Sequence, residues 1–157
     1  ATGEVSSTAS VILQNEAPTS GLPAYVIGNQ QGEPDGSNVT DVAVLSPFEL
    51  SEVTINGEQV ASNSQRELGY WRHEARAVIP PGGTLTLKYH LKGQVAVGDL
   101  YRLDVVKQPT LIPESTQISL TARDSDLEPG DGVTVAENVA TITLSENQHS
   151  TIALRAI

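Results

Sequence analysis

The residues best suited to chemistry are acids. Residues 123–132 read RDSDLEPGDG, with Asp124, Asp126 and Glu128 at alternate positions and Asp131 close behind. Hard carboxylate oxygens gathered in one turn suit Ca2+, which takes about six to eight oxygen ligands. The loop departs from the EF-hand pattern: it lacks the glycine of position six, Pro129 intrudes, and no bidentate glutamate closes it. Asp124, Asp126, Glu128 and Asp131 are therefore a candidate calcium loop, and a solvated turn between strands is the competing reading. Glu33, Asp35 and Asp41 make a weaker acidic group.

The histidines are His73, His90 and His149. Strand alternation puts His73 on the same face as Trp71, and His90 opposite Leu87 and Leu91, so a three-histidine zinc site is not expected. His73 reads as a hydrogen-bonded core histidine, and His149 as part of a solvated turn. Serines are plentiful, but there is no GxSxG elbow, P-loop, GxGxxG or HExxH. No acid, base and nucleophile converge in the pattern, so the sequence reads as non-enzymatic, with no catalytic or cofactor-binding residue.

Platforms for a sugar would be Tyr25, Tyr70, Trp71, Tyr89 and Tyr101. Alternation places Trp71, Tyr89 and Tyr101 with core residues and leaves Tyr70 on a polar face beside Arg72 and Glu74. A Lys–Asn isopeptide crosslink would need an inward lysine. Lys107 has that parity and Asn138 is a conceivable partner, whereas a strand-end lysine reaching water is the plainer reading.

The elements that must position these residues are strands. Hydrophobic residues make up 38% of the 157, enough for a packed core, and the 9 Pro and 13 Gly punctuate runs rich in β-branched residues. In EVSSTASVILQNE, Ala9, Val11 and Leu13 share a face opposite Ser10, Ile12 and Gln14. AYVIG reads as a short strand, and VTDVAVLSP as a central strand covered on both faces. Asn56-Gly57 predicts a type I′ hairpin. SNSQRELG reads as one helical turn stopped by Gly69. YWRHEARAVI and TLTLKYHL read as a strand pair around Pro80-Pro81-Gly82-Gly83. In the first, Trp71, His73, Ala75, Ala77 and Ile79 face inward. In the second, Leu85, Leu87, Tyr89 and Leu91 do. With DLYRLDVVKQP, QISLTARD, GVTVAEN, VATITLSE and STIALRAI, the tally is about nine or ten strands, the spacing of an immunoglobulin-like two-sheet β-sandwich. No linker or repeat interrupts it, so residues 1–157 read as one all-β domain.

The stretch NEAPTSGLPAYVIGN is too apolar for a linker and too poor in ionisable groups for an active-site loop. Pro18 and Pro23 stop ladder pairing and Gly21 and Gly28 allow corners, so it is expected to end the first strand and cross to the opposite sheet.

That stretch, with the later LSP, NG, RELG, IPPGGTLTLKYHL and DLYRLDVVKQPTLIP, resembles the C-terminal portion of a family of large membrane-anchored proteins. They belong to actinobacterial and related cell envelopes and are grouped as a domain of unknown function. Lys107-Gln108-Pro109 after a Tyr-Arg-Leu strand is the most specific piece, and the likeness covers roughly residues 9 to 120. It implies a β-rich extracytoplasmic region behind an N-terminal anchor, and supplies no catalytic residue.

Composition agrees with an exterior location. The net charge of −10, from 19 acids and 9 bases, repels nucleic acid and anionic lipid. Cysteine is absent, so no disulfide or thiolate chemistry is available. Methionine is absent even at position 1, and the chain is expected to be a processed or excised piece, reaching a membrane only through an upstream anchor. The expected function is a structural or interaction module of a cell-envelope or extracellular protein. It would dock a protein partner or a like subunit at a sheet edge or an apolar outer face, with assembly into a layer or filament as a variant. A calcium- or carbohydrate-binding module is the alternative.

Overall fold

The computed structural model describes residues 3–96, 98, 100–106, 115–121, 127–128, 134–136, 139–145 and 150–156. The fold is all-β and sandwich-like, and every strand pairing among these residues is antiparallel. Contacts group the chain into two compact units, Thr2–Val95 and Ala96–Ile157.

The first unit contains β1 (Glu4–Gln14), the helical turn α1 (Ala24–Ile27), β2 (Asn38–Ser46), β3 (Glu49–Ile55), β4 (Glu58–Gln59), β5 (Ser62–Glu67), β6 (Tyr70–Ile79) and β7 (Thr84–Gln94). One sheet has the order β1-β7-β3-β4 and the other β2-β6-β5. Their inner faces make the core. Val53 of β3, Ala75, Ala77 and Ile79 of β6, and Leu85, Leu87, Tyr89 and Leu91 of β7 are buried. The half-buried Ala9, Val11, Leu13, Val42 and Val44 pack against them. The period-2 patterns of β6 and β7 thus point inward as the sequence requires. Tyr89 joins the layers: its hydroxyl donates to the carbonyl oxygen of Val42 at 2.7 Å.

Four local expectations change, the last of them in the crossing from β1 to β2. YWRHEARAVI and TLTLKYHL are both strands, but they do not pair with each other. β6 lies between β2 and β5, and β7 lies between β1 and β3, so Pro80-Pro81-Gly82-Gly83 carries the chain from one sheet to the other. VTDVAVLSP is an edge strand, pairing with β6 alone among the described residues, and Leu45 is exposed. SNSQRE is β5, which turns into β6 through Leu68-Gly69, both at positive φ (51° and 88°). The expected Asn56-Gly57 hairpin is present, with φ of 51° and 91°, and joins β3 to β4.

The stretch NEAPTSGLPAYVIGN does cross between the sheets, from β1 to β2. AYVI is one helical turn rather than a strand. Pro23 precedes it at φ −60°, and the Gly28 N–H donates to the Ala24 carbonyl at 2.7 Å. Asn15 anchors the crossing. It is 7% exposed, and its amide donates to the carbonyls of Gly36 (2.7 Å) and Ile79 (2.9 Å). Its Oδ1 accepts the Ala17 N–H at 3.0 Å. One buried side chain thereby bonds main-chain groups of three segments.

The second unit contains β8 (Leu100–Val105), β9 (Ser115–Thr121), β10 (Leu127–Glu128), β11 (Thr134–Ala136), β12 (Val139–Ser145) and β13 (Ser150–Ala156). Its sheets run β10-β13-β8 and β11-β12-β9. Ala140 and Ile142 of β12 are buried against Leu103 and Val105 of β8, Ile118 and Leu120 of β9, and Val135 of β11. One small core therefore draws on both sheets.

Candidate functional site

The sites predicted from side-chain chemistry do not gather. Asp124, Asp126 and Asp131 lie outside the described residues, as do His149, Lys107 and Asn138. Glu128 ends the two-residue β10, with its backbone opposite Arg155 of β13. Among the described residues no group of three or more His, Cys, Asp or Glu is placed to hold a metal. No described helix is long and apolar enough to cross a membrane.

His73 and His90 stand in different sheets. His73 is 1% exposed and engaged at both nitrogens. Nε2 lies 2.9 Å from the Phe48 carbonyl oxygen, which can only accept, so Nε2 carries the proton. Nδ1 then accepts the Ser64 hydroxyl at 2.8 Å. Trp71 stacks on His73 with ring centroids 6.1 Å apart, and the Arg66 guanidinium sits 4.1 Å from the centre of the Trp71 ring. This cluster ties β5 to β6 and to the β2–β3 corner. His90 lies on the outer face, where its Nδ1 is 3.2 Å from the Thr8 hydroxyl and its Nε2 is 3.9 Å from Glu52.

An open recess of about 440 Å3 lies where the crossing meets β2, lined by Asn15, Ile27, Asn29, Gln31 and Asn38 among others. Asn29 shapes its rim. Its Oδ1 accepts the N–H groups of Gln31 and Glu33, and its amide donates to the Glu33 carbonyl. Tyr25, on α1, is 88% exposed.

The most unusual surface is main chain. β1 is 11 residues long and lies at the end of its sheet order, so among the described residues nothing pairs along its outer side. Its register with β7 runs from Glu4↔Gln94 to Gln14↔Thr84 without a bulge. Two hydrogen bonds flank the ladder: Val95 N–H to the Gly3 carbonyl and Asn15 N–H to the Gly83 carbonyl, each at 2.9 Å. Both belong to odd-numbered residues of β1's register. Antiparallel ladders bond alternate residues, so Val5, Ser7, Ala9, Val11 and Leu13 face β7 with their N–H and C=O groups. The main-chain groups of Glu4, Ser6, Thr8, Ser10, Ile12 and Gln14 point out of the sheet.

Edges of this kind are normally blunted by shortness, lysine, proline, a bulge or an acid. Within the first unit the other edges follow that rule: β4 has two residues, β5 carries Arg66 and Glu67, and β2 carries Asp41. β1 has one charge, Glu4, at its first position, and no Pro or Lys. Its outward side chains lie beside Lys92, His90 and Lys88 of β7, which in turn face Glu49, Glu52 and Thr54 of β3. The sequence did not reveal this edge, because period-2 alternation gives a strand's faces but not its neighbours.

Comparison with known proteins finds no matching family model, no matching curated protein and no matching solved structure, so the functional reading rests on this geometry.

Proposed function

We propose that the chain is a non-enzymatic structural or interaction module of a cell-envelope or extracellular protein, and that it associates through the open edge of β1. The observation that carries this reading is the undefended edge itself, with main-chain donors and acceptors facing outward along the whole strand. Added strands bind through such groups, each hydrogen bond contributing about 0.5–1.5 kcal/mol net. The extracytoplasmic part draws on the acidic composition and on the resemblance carried by Lys107-Gln108-Pro109. That resemblance also makes an upstream membrane anchor part of the proposal.

An immunoglobulin-like description of the first unit is supported by its interlocked strands. β2 and β6 pair in one sheet while their successors β3 and β7 pair in the other. The orders β2-β6-β5 and β4-β3-β7 correspond to strands B-E-D and C′-C-F of that fold. β1 takes the position beside F that strand G would occupy. The non-enzymatic part is supported by His73, whose two nitrogens are both used in holding strands together.

A second reading, a carbohydrate-binding module, draws on the exposed Tyr25 and the nearby amide-rich recess. Calcium at Asp124, Asp126, Glu128 and Asp131 belongs with this alternative. A melting scan with calcium, with chelator and with wall polysaccharides, run beside fluorophosphonate labelling, separates the readings. The interaction module gives no shift and no label. A polysaccharide shift removed by Tyr25→Ala favours the sugar reading. Label on Ser64 that disappears in His73→Gln overturns the non-enzymatic assignment.

A further inference from the structure

We infer that the partner of the β1 edge is a second copy of this chain, joined antiparallel about a twofold axis at Ala9. This rests on the interaction-module reading and names its occupant. A twofold at Ala9 overlaps all 11 residues of β1. Glu4 then lies opposite Gln14, Ser6 opposite Ile12, and Thr8 opposite Ser10. These are the even residues whose main-chain groups point outward, so they form the hydrogen-bonded pairs. The odd residues form the non-bonded pairs: Val5 with Leu13, Ser7 with Val11, and Ala9 with itself. Every pair joins side chains of one face, and no like charges are opposed.

The half-covered apolar side chains favour the same occupant. Val5, Ala9, Val11 and Leu13 face inward, yet each is only half-buried, and among the described residues no strand pairs beyond β1. A second copy sets Val5 against Leu13 and closes both cores at the seam. The two β1-β7-β3-β4 sheets become one continuous sheet. Twofold pairing is closed, because it uses the same β1 edge of both chains. The charge of −10 on each copy opposes the approach, so association strengthens as salt is added.

The absence of cysteine gives a clean test. A non-bonded antiparallel pair has Cα atoms about 4.5 Å apart, within disulfide range. The full chain carrying Ala9→Cys should therefore form a disulfide-linked species of doubled mass under mild oxidation, and the Ser7→Cys chain should stay single. Wild-type chain should show a concentration-dependent doubling of mass by light scattering. Ser10→Pro removes an outward N–H and spares the β7 ladder, so it should stay at the single-chain mass with an unchanged circular dichroism spectrum. A wild-type mass that stays single at every concentration and salt overturns the inference while leaving association with a different partner open. Equal crosslinking at positions 7 and 9 overturns the stated register.

Discussion

Asn56 and Thr86 exchange two hydrogen bonds across 30 residues of chain. The Asn56 N–H donates to the Thr86 carbonyl at 2.9 Å, and the Asn56 Oδ1 accepts the Thr86 N–H at 3.0 Å. The β3–β4 turn therefore does more than reverse the chain. After Ile55 the ladder to β7 would end, and the asparagine side chain supplies one more acceptor where a strand carbonyl would have been. Asn56→Gly keeps the positive φ and loses that acceptor, so it should cost about 1 kcal/mol in urea unfolding. Asn56→Ala adds a left-handed penalty and should cost about 2 kcal/mol.

The β5–β6 turn works against its sequence. Leu68 sits at φ 51° and is 89% exposed, so it bears the left-handed strain with little packing in return. Leu68→Asn should raise stability by about 1 kcal/mol, read as a higher denaturant midpoint at unchanged slope. A lower midpoint would mean that Leu68 makes a contact which outweighs the strain.

Tyr89 links stability to alkaline pH. Burial of the hydroxyl between the layers pushes its pKa up to about 12 from the ordinary 10.0. The neutral form is the one the fold keeps. The stabilisation is complete below pH 10 and is lost as pH rises through about 12. A pH series of unfolding free energy should thus be flat near neutrality as far as this group is concerned, then fall above pH 10. Tyr89→Phe should remove most of this alkaline fall. It should also cost about 1–2 kcal/mol at neutral pH, because the Val42 carbonyl loses its donor.

Gly93 of β7 lies close against the Phe48 ring. A Cβ at this position would run into the edge of the Phe48 ring. Gly93→Ala should destabilise by about 1–3 kcal/mol through overpacking. Phe48→Leu in the same chain should recover part of that loss, a coupling that a double-mutant cycle measures.

How much of this was legible in the residues depends on the kind of information each one carries. The inward faces of β6 and β7 could be read directly, since His73, Ala75 and Ala77, like Leu85 to Leu91, alternate with polar neighbours. The Asn56-Gly57 turn was legible because both residue types tolerate positive φ. Leu68-Gly69 was not, because leucine seldom adopts the left-handed region, and tertiary pairing of β5 with β6 overrides its preference. The separation of β6 from β7 was hidden as well. A Pro-Pro-Gly-Gly corner serves a hairpin and a crossing between sheets equally well, and only the pairing partners distinguish them. Tyr25 and Val26 read as strand on β propensity, but Pro23 and Gly28 confine the segment to one helical turn.

The candidate site was legible only in outline. Docking at a sheet edge could be expected of any β-sandwich. That β1 is the edge in question follows from its place beside β7, a pairing set by residues some eighty positions away. The low charge of EVSSTASVILQ was visible from the start, but it gains meaning only once the strand is seen to pair with β7 alone among the described residues. Asn15 is similar: its type gave no hint that it would bond to Gly36 and Ile79.

The most direct test is amide hydrogen exchange along β1, read residue by residue at low and high chain concentration. In the single chain, Val5, Ser7, Ala9, Val11 and Leu13 should be protected, while Ser6, Thr8, Ser10, Ile12 and Gln14 exchange freely. At high concentration the second set should gain protection, and Ser10→Pro should prevent the gain at the remaining positions. Even-numbered amides already protected at the lowest concentration, or freely exchanging at the highest, would contradict an open edge that associates.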